Sequence, residues 1–171
     1  LAALERPAAY LPIDISGPYL RAAADALRRD WPRLRVEPVV ADYTQPLQLP
    51  RPRAAGRRLG FFPGSTIGNL APEAALDFLR RAAALLRGGA LLLGVDLVKD
   101  PRILHAAYND AAGVTAAFNR NLLVRANREL GADFEPGQFA HSAFYNAPLQ
   151  RVEMHLMSCR RQQVQVCGER F

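Results

Sequence analysis

Two aspartates stand where apolar stretches of the sequence give way to polar ones. Asp14 closes the apolar run of YLPIDIS (residues 10–16), and Asp42 closes that of LRVEPVVADY (residues 34–43). A carboxylate at the end of a strand can accept two hydrogen bonds from the cis-diol of a ribose. The same residue type also caps helices and turns. Each aspartate taken alone therefore indicates a nucleotide site or a structural cap.

The segment FFPGSTIGN, residues 61–69, is the most specific feature of the sequence. Gly64 and Gly68 permit tight turns and the close approach of a ligand to the backbone. Ser65, Thr66 and Asn69 add small polar groups at the same place. A hydrolase is disfavoured, because Ser65 directly follows the first glycine instead of standing midway between the two. No base is positioned to activate this serine either.

Polar residues also recur in the second half of the sequence. They are Tyr108, Asn109 and Asp110 near the end of a short helix, and Asn119, Asn121 and Asn127 along the next one. These residues either contact a ligand, or the asparagines lie on helix surfaces and Tyr108 is a core aromatic with a solvated hydroxyl. The histidines at 105, 141 and 155 are too scattered for a metal site and are interpreted as structural. We assign neither a metal nor a catalytic residue.

Alternating apolar runs and helical stretches must position these residues. Strand candidates lie within 10–16, 34–43, 59–64 and 90–98, and helices are predicted from about Tyr19 to Asp30 and from Pro72 to the Gly88–Gly89 stop. Residues 45–58 indicate a surface connection. Continuously apolar strands favour a parallel sheet covered on both faces, so the predicted class is α/β. Ligands of such sheets bind beyond the carboxyl ends of the strands, which is where the aspartates and the glycine turn would lie.

The sequence changes character after Val98. A helical region is predicted over roughly 101–130, followed by antiparallel strands with a hairpin around Asn146, Ala147 and Pro148. We interpret this half as an appended substrate-covering region.

Composition indicates a folded protein without an extended polyanion site. Half of the 171 residues are hydrophobic, and the net charge of +6 comes almost entirely from scattered arginines, Lys99 being the sole lysine. The arginines lack the interleaved aromatics of a single-strand-binding groove, so a solvated surface is favoured over nucleic-acid binding.

Cys159 and Cys167 are expected to be reduced, partly buried thiols on strands. No signal peptide or membrane-spanning run is evident, and the start at Leu1 suggests an excerpt.

Several unusual segments in a fixed order resemble the histidine-specific Nα-methyltransferases of ergothioneine biosynthesis. They are YLPIDIS, FFPGSTIGN, LLLGVDLVKD, AAYNDAAGVTAAFNRNLL, ANRELGADFEPGQFAHSAFYN and VEMHLMS. The resemblance covers nearly the whole chain. It implies a Rossmann-like class I methyltransferase sheet without its first strand, and an appended α+β substrate-binding region. The corresponding domains are 1–98, for S-adenosylmethionine (SAM), and 99–171, for the substrate.

The resemblance also implies roles for six residues. Asp14 would hold the ribose of SAM, and Asp42 with Tyr43 would meet its adenine. Gly64, Asn69 and Tyr108 would contact the amino and carboxylate groups of L-histidine, which would be methylated to its trimethylated betaine. We expect a cytoplasmic monomer that binds small molecules and neither nucleic acid nor a membrane.

The family's glycine-rich loop and an imidazole-contacting aromatic would precede Leu1, and its imidazole-gripping glutamate and serine would follow Phe171. We therefore expect the isolated chain to be inactive and to bind cofactor poorly. Three alternatives remain: a methyltransferase of the same family that acts on another amino acid, a non-catalytic truncated binding domain, and a nicotinamide dehydrogenase. The dehydrogenase is weakly supported, because its glycine fingerprint does not occur in these residues.

Overall fold

The computed structural model describes residue 4 and residues 7–50 and 56–171. The chain divides into two compact units, Leu1–Asp96 and Leu97–Phe171. Of the predicted surface connection over 45–58, residues 51–55 lie outside the described residues.

The first unit begins with a strand, a helix and a parallel strand. They are β1 (Ile13–Asp14), α1 (Gly17–Asp30) and β2 (Val39–Val40). Helix α1 forms with Pro18 in its first turn, where the missing amide hydrogen costs no intrahelical bond. Leu20 and Ala24, one turn apart, are buried and hold the helix against the strands.

A second parallel pair follows in the same unit. Strand β3 (Leu59–Phe62) leads into helix α2 (Pro72–Leu85) and returns as β4 (Ala90–Leu93). The predicted start of this helix at Pro72 is confirmed. Gly89 enters β4 so close to β3 that a Cβ atom would lie 1.9 Å from the carbonyl oxygen of Arg58. Only glycine fits there, because any side chain would collide with the backbone.

In the described part of the chain, β3 and β4 are not covered by other elements on both faces. Along β3 and β4 the residues alternate between exposed and half-buried, and Phe61 is 63% exposed. One crossover helix joins these two strands, and a single helix covers a single face. The prediction of parallel pairing is confirmed, and covering of the strands on both faces stays a prediction.

The fold class is mixed α/β. The described strands are short and form four two-stranded sheets, two parallel in the first unit and two antiparallel in the second.

The second unit packs two helices against a long hairpin. Helices α3 (Pro101–Tyr108) and α4 (Val114–Leu130) precede strands β5 (Phe139–Asn146) and β6 (Arg151–Ser158), and a small hairpin of β7 (Gln165–Val166) and β8 (Glu169–Arg170) follows. The predicted hairpin around Asn146 is confirmed. Residues 139, 141, 143 and 145 alternate with the other face of β5, and Ala143 among them is buried.

Asparagine side chains bind the helices of this unit to the backbone around them. Asn109 donates to the carbonyl oxygen of Ala143 at 2.9 Å. Asn127 both donates to the carbonyl of Phe134, at 2.7 Å, and accepts from its amide, at 2.9 Å. Asn119 is buried and donates to the carbonyl of His155. The helix-surface interpretation is therefore wrong for these three, and fits only the exposed Asn121.

The cysteine prediction is confirmed for the free thiols, but the predicted place of both residues on strands, partly buried, is wrong. Cys159 follows the end of β6, Cys167 occupies the tight turn between β7 and β8 with a positive φ of 51°, and both thiols are free and exposed. A turn that reverses the chain within two residues leaves its side chains outside the ladder of hydrogen bonds between the two strands.

Among the described residues, every helix is too short or too polar to cross a bilayer.

Candidate functional site

Asp14 ends β1, where it pairs with Val40, and Asp42 lies two residues after the end of the neighbouring strand β2. The amide of Ala41 donates to the backbone carbonyl of Asp14 at 3.1 Å, which fixes the two strand ends against each other. The Oδ1 atom of Asp14 accepts from the amide of Ser16 at 2.7 Å. The Oδ1 atom of Asp42 accepts from the amide and the hydroxyl of Thr44, at 2.8 and 2.6 Å.

The turn-capping role is thus confirmed for both aspartates, but it uses one carboxylate oxygen of each. Among the described residues, the Oδ2 atoms of Asp14 and Asp42 accept no hydrogen bond. A carboxylate has lone pairs for about four hydrogen bonds. The local turns and a ligand can therefore be served by the same side chains.

The pKa of Asp42 lies below its ordinary value. The hydrogen bond from the Thr44 hydroxyl lowers this pKa most, followed by the Thr44 amide, and the positive charge of Arg81 on α2 lowers it further. The carboxylate is consequently ionised at neutral pH. Within the described part of the chain, the Nε atom of Arg81 is buried without a hydrogen-bond partner. No local pattern signalled Arg81, since it lies 39 positions after Asp42.

An aromatic cluster links the two parallel pairs. The ring of Tyr43, directly after Asp42, meets the ring of Phe62 edge-on at a centroid distance of 5.3 Å. Phe62 ends β3 and also packs on Phe78 of α2, with the centroids 4.5 Å apart. The carboxyl end of β2 is therefore a neighbour of the carboxyl end of β3, where FFPGSTIGN begins its turn. Tyr43 is half-buried in this cluster, and its contact with adenine stays a prediction.

The glycine turn after β3 has an unusual backbone. Gly64 and Ser65 have φ values of 72° and 57°, and a 3-10 helix follows over Thr66–Asn69. Space around Gly64 is open, so glycine is required there for its positive φ and not for lack of room. Ser65 adopts the left-handed conformation, which costs about 1 kcal/mol or more for a residue with a side chain.

A hydrogen bond compensates for the strain at Ser65. Its Oγ atom accepts from the backbone amide of Asp96 at 2.9 Å, which ties this turn to the loop after β4. The approach is close, because a Cβ atom on Gly94 would lie 3.1 Å from the nitrogen of Gly64. Ser65 thus shapes the turn through its side chain. Gly64 and Asn69, at the start and end of this turn, are both exposed.

Tyr108 lies at the end of α3 in the second unit, so its place beside the residues of the first unit stays a prediction. Its side chain is exposed, and the two polar residues after it have structural roles. Asn109 binds β5, and Asp110 accepts from the amides of Val114 and Thr115, both at 2.8 Å. The motif YND therefore combines one exposed aromatic with two residues that hold it in place.

The structural interpretation is confirmed for two of the three histidines and stays a prediction for His105. His141 and His155 are hydrogen-bonded, and within the described ranges no group of three potential ligands could hold a metal ion. His141 contacts the carbonyl of Tyr108, a link between residues 33 positions apart that no local spacing predicts.

Parallel strands with acidic carboxyl ends beside a glycine turn define an α/β protein suited to a nucleotide-containing cofactor. Comparison with known proteins identifies the family. The family model described as histidine-specific methyltransferase, SAM-dependent, matches residues 1–171. The chain belongs to this family.

Three relatives illustrate the similarity. The histidine N-alpha-methyltransferase of Mycolicibacterium smegmatis is 45% identical over 161 residues, which are 93% of this chain and 49% of that protein. The protein of the same name from Mycobacterium tuberculosis is 45% identical over 159 residues, covering 92% and 49%. Ergothioneine biosynthesis protein 1 of Neurospora crassa is 39% identical over 69 residues, covering 40% and 8%. The chain spans about half the length of the two mycobacterial relatives.

Proposed function

We propose that the whole protein uses SAM to methylate the α-amino nitrogen of L-histidine, and that it continues to the trimethylated betaine of the ergothioneine pathway. The observation that carries the proposal is the pairing of two acidic strand ends with a neighbouring glycine turn, in a chain that matches the family throughout. Sequence identity of 45% to two histidine N-alpha-methyltransferases supports the choice of substrate.

The residues present fit the nucleoside part of SAM. Asp14 and Asp42 each offer an Oδ2 atom without a partner among the described residues, and the carboxylate of Asp42 is ionised. Asp14 would accept from the ribose hydroxyls, because a cis-diol presents two donors to one carboxylate. Asp42 would accept from the exocyclic amine of adenine, and Tyr43 would lie beside the base.

The glycine turn and Tyr108 would hold the amino acid. The positive φ of Gly64 permits its backbone to approach a ligand, and Asn69 offers both a donor and an acceptor to a zwitterion. The tyrosine hydroxyl can donate to the substrate carboxylate. These three residues would therefore orient the amino and carboxylate ends of histidine and leave its side chain to other contacts.

Positioning would supply most of the catalysis. SAM supplies an electrophilic methyl group on a sulfonium, and the attacking amine must be unprotonated. The protein would orient the attacking nitrogen toward the methyl group, and a site from which water is excluded would favour the neutral amine. No residue of this chain is assigned as the proton acceptor.

The same proposal extends to architecture. Residues 1–98 would form the SAM-binding part of a Rossmann-like sheet, in which β1–β2 and β3–β4 are parts of one continuous layer. Residues 99–171 would form the substrate-binding region. We further propose that the protein acts as a monomer in the cytoplasm.

The test measures methyl transfer from SAM to a panel of amino acids by the full-length protein, with products identified by mass spectrometry. We expect histidine to gain three methyl groups on its α-nitrogen. Methylation of another amino acid in preference to histidine would contradict the substrate assignment. Calorimetric titration of SAM into the 171-residue chain and into the full-length protein separates two alternatives. A truncated enzyme predicts that the full-length protein binds SAM and the chain binds it poorly, whereas true loss of function predicts that neither binds SAM.

A further inference from the structure

We propose that His141 is a positioning residue that fixes Tyr108 for substrate binding, through a chain of hydrogen bonds that begins at Asn119. The proposal rests on the substrate-contacting role proposed above for Tyr108. It concerns a residue that does not itself touch the substrate.

Three elements meet at His141. Its Nε2 atom lies 2.8 Å from the carbonyl oxygen of Tyr108, the last residue of α3. Its Nδ1 atom lies 3.0 Å from the Nδ2 atom of Asn119 on α4. The same Nδ2 atom donates to the carbonyl oxygen of His155 on β6 at 3.1 Å. Asn119 is buried, with 4% of its surface exposed, and His141 is half-buried on β5.

The direction of each hydrogen bond is determined by its neighbour. The carbonyl of His155 can only accept, so the amide of Asn119 must present its NH2 group there. The second hydrogen of that NH2 group then faces Nδ1 of His141, which must accept. The proton of a neutral imidazole consequently lies on Nε2, where it donates to the carbonyl of Tyr108. That carbonyl also only accepts, so the chain is consistent at both ends.

The end of α3 is therefore held at two adjacent points. The carbonyl of Tyr108 accepts from His141, and Asn109 donates to the carbonyl of Ala143 on the same strand β5. The backbone carbonyl groups in the last turn of a helix have no intrahelical partner, so a donor from elsewhere stabilises the helix end. Holding the Tyr108 backbone restricts where its exposed ring can point, which lowers the entropy lost when the ring contacts a ligand.

Two substitutions separate the bonds made by His141. In His141→Gln the side-chain amide reaches the place of Nε2 and can still donate to Tyr108. In His141→Asn the shorter side chain reaches the place of Nδ1, where its oxygen can accept from Asn119, but the donor to Tyr108 is lost. Each variant keeps one of the two bonds, so the pair isolates the contact with Tyr108.

The variants are compared in the full-length protein by steady-state kinetics and thermal unfolding. For His141→Asn we expect KM for histidine to rise by about fivefold to tenfold, the size of one lost hydrogen bond. KM for SAM should stay within about twofold, and His141→Gln should keep KM for histidine near the unsubstituted value. Equal KM values for histidine in the two variants at similar unfolding temperatures would overturn the proposal.

A second measurement does not depend on activity. Nitrogen-15 NMR of the imidazole reports which ring nitrogen carries the proton, and we expect the Nε2–H tautomer for His141 at neutral pH. An Nδ1–H tautomer would overturn the proposal, because Nε2 could not then donate to Tyr108. If the protein failed to methylate histidine, the proposed function would be contradicted. The NMR measurement of the His141 tautomer would still show whether Nε2 can donate to the carbonyl of Tyr108.

Discussion

A carboxylate that caps a turn keeps a second oxygen atom with which it could bind a ligand, and Asp14 is an example. Its Oδ1 atom accepts from the amide of Ser16, two residues further along, while its Oδ2 atom accepts no hydrogen bond from the described residues. From the sequence alone, capping and ligand binding are alternatives. The structure makes them compatible, because the turn uses Oδ1 and a ligand would use Oδ2.

Replacing Asp14 by asparagine in the full-length protein should weaken SAM binding about tenfold, since charge-assisted hydrogen bonds to the ribose are lost. The amide oxygen of asparagine can still accept from Ser16, so the turn should be preserved. Calorimetric titration gives the dissociation constant. Asp25→Asn on α1, which removes an exposed ion pair with Arg28, is the control. Equal dissociation constants for Asp14→Asn and the control would remove Asp14 from the cofactor site.

At the residue level the sequence predicted those features that depend on local pattern. Asp14 ends β1, Asp42 lies two residues after the end of β2, and the glycine turn follows β3. Arg81 beside Asp42 and His141 beside Tyr108 were not predicted, because each pair is joined only by the tertiary fold. Such contacts have no characteristic spacing in a single sequence.

At the level of elements, helix α4 begins in an uncommon way. Its N-cap position is occupied by Gly113, which has no side chain to accept from the first amides. Asp110, three residues earlier, serves instead, with Oδ2 bound to Val114 and Oδ1 to Thr115. The Thr115 side chain, followed by the Thr115 and Val114 amides, lowers the pKa of Asp110 to about 2, from 3.8. The N-terminal end of the helix dipole favours the same ionised state.

The low pKa of Asp110 predicts a pH-dependent contribution to stability. Because the pKa in the folded state is about 2 and the reference value is 3.8, the stabilisation is present above about pH 4 and is lost as the pH falls toward 2. Asp110→Asn should therefore lower the urea midpoint at pH 7, and the difference from the unsubstituted protein should shrink between pH 4 and pH 2. Asp77→Asn on α2 is the control. A difference that is constant with pH would contradict the assignment.

Strand boundaries were predicted less well than the strands themselves, and β1 shows why. The apolar run extends over residues 10–16, but the strand is only Ile13–Asp14, and Tyr10 makes an isolated bridge to Val36. Pro12, between them, has no N–H group with which to continue the ladder. The apolar pattern predicted where β1 pairs, and Pro12 makes the strand shorter than the apolar run.

At the scale of the whole molecule, the order of the motifs was more informative than any one of them. Taken singly, the glycine turn and the acidic strand ends fit several nucleotide-binding proteins. Together they resembled one family, and the family model matches the chain over residues 1–171. The exposure of apolar residues on β3 and β4 could not be read from the sequence, since it depends on how the elements pack.

The central claim is that the turn after β3 holds the amino acid beside the cofactor, and Asn69→Ala in the full-length protein tests it most directly. Transfer from labelled SAM to histidine is measured, with Asn121→Ala on the exposed face of α4 as the matched control. We predict that kcat/KM for histidine falls by about tenfold to a hundredfold for Asn69→Ala and stays within about twofold for the control. An unchanged kcat/KM in Asn69→Ala would contradict the account.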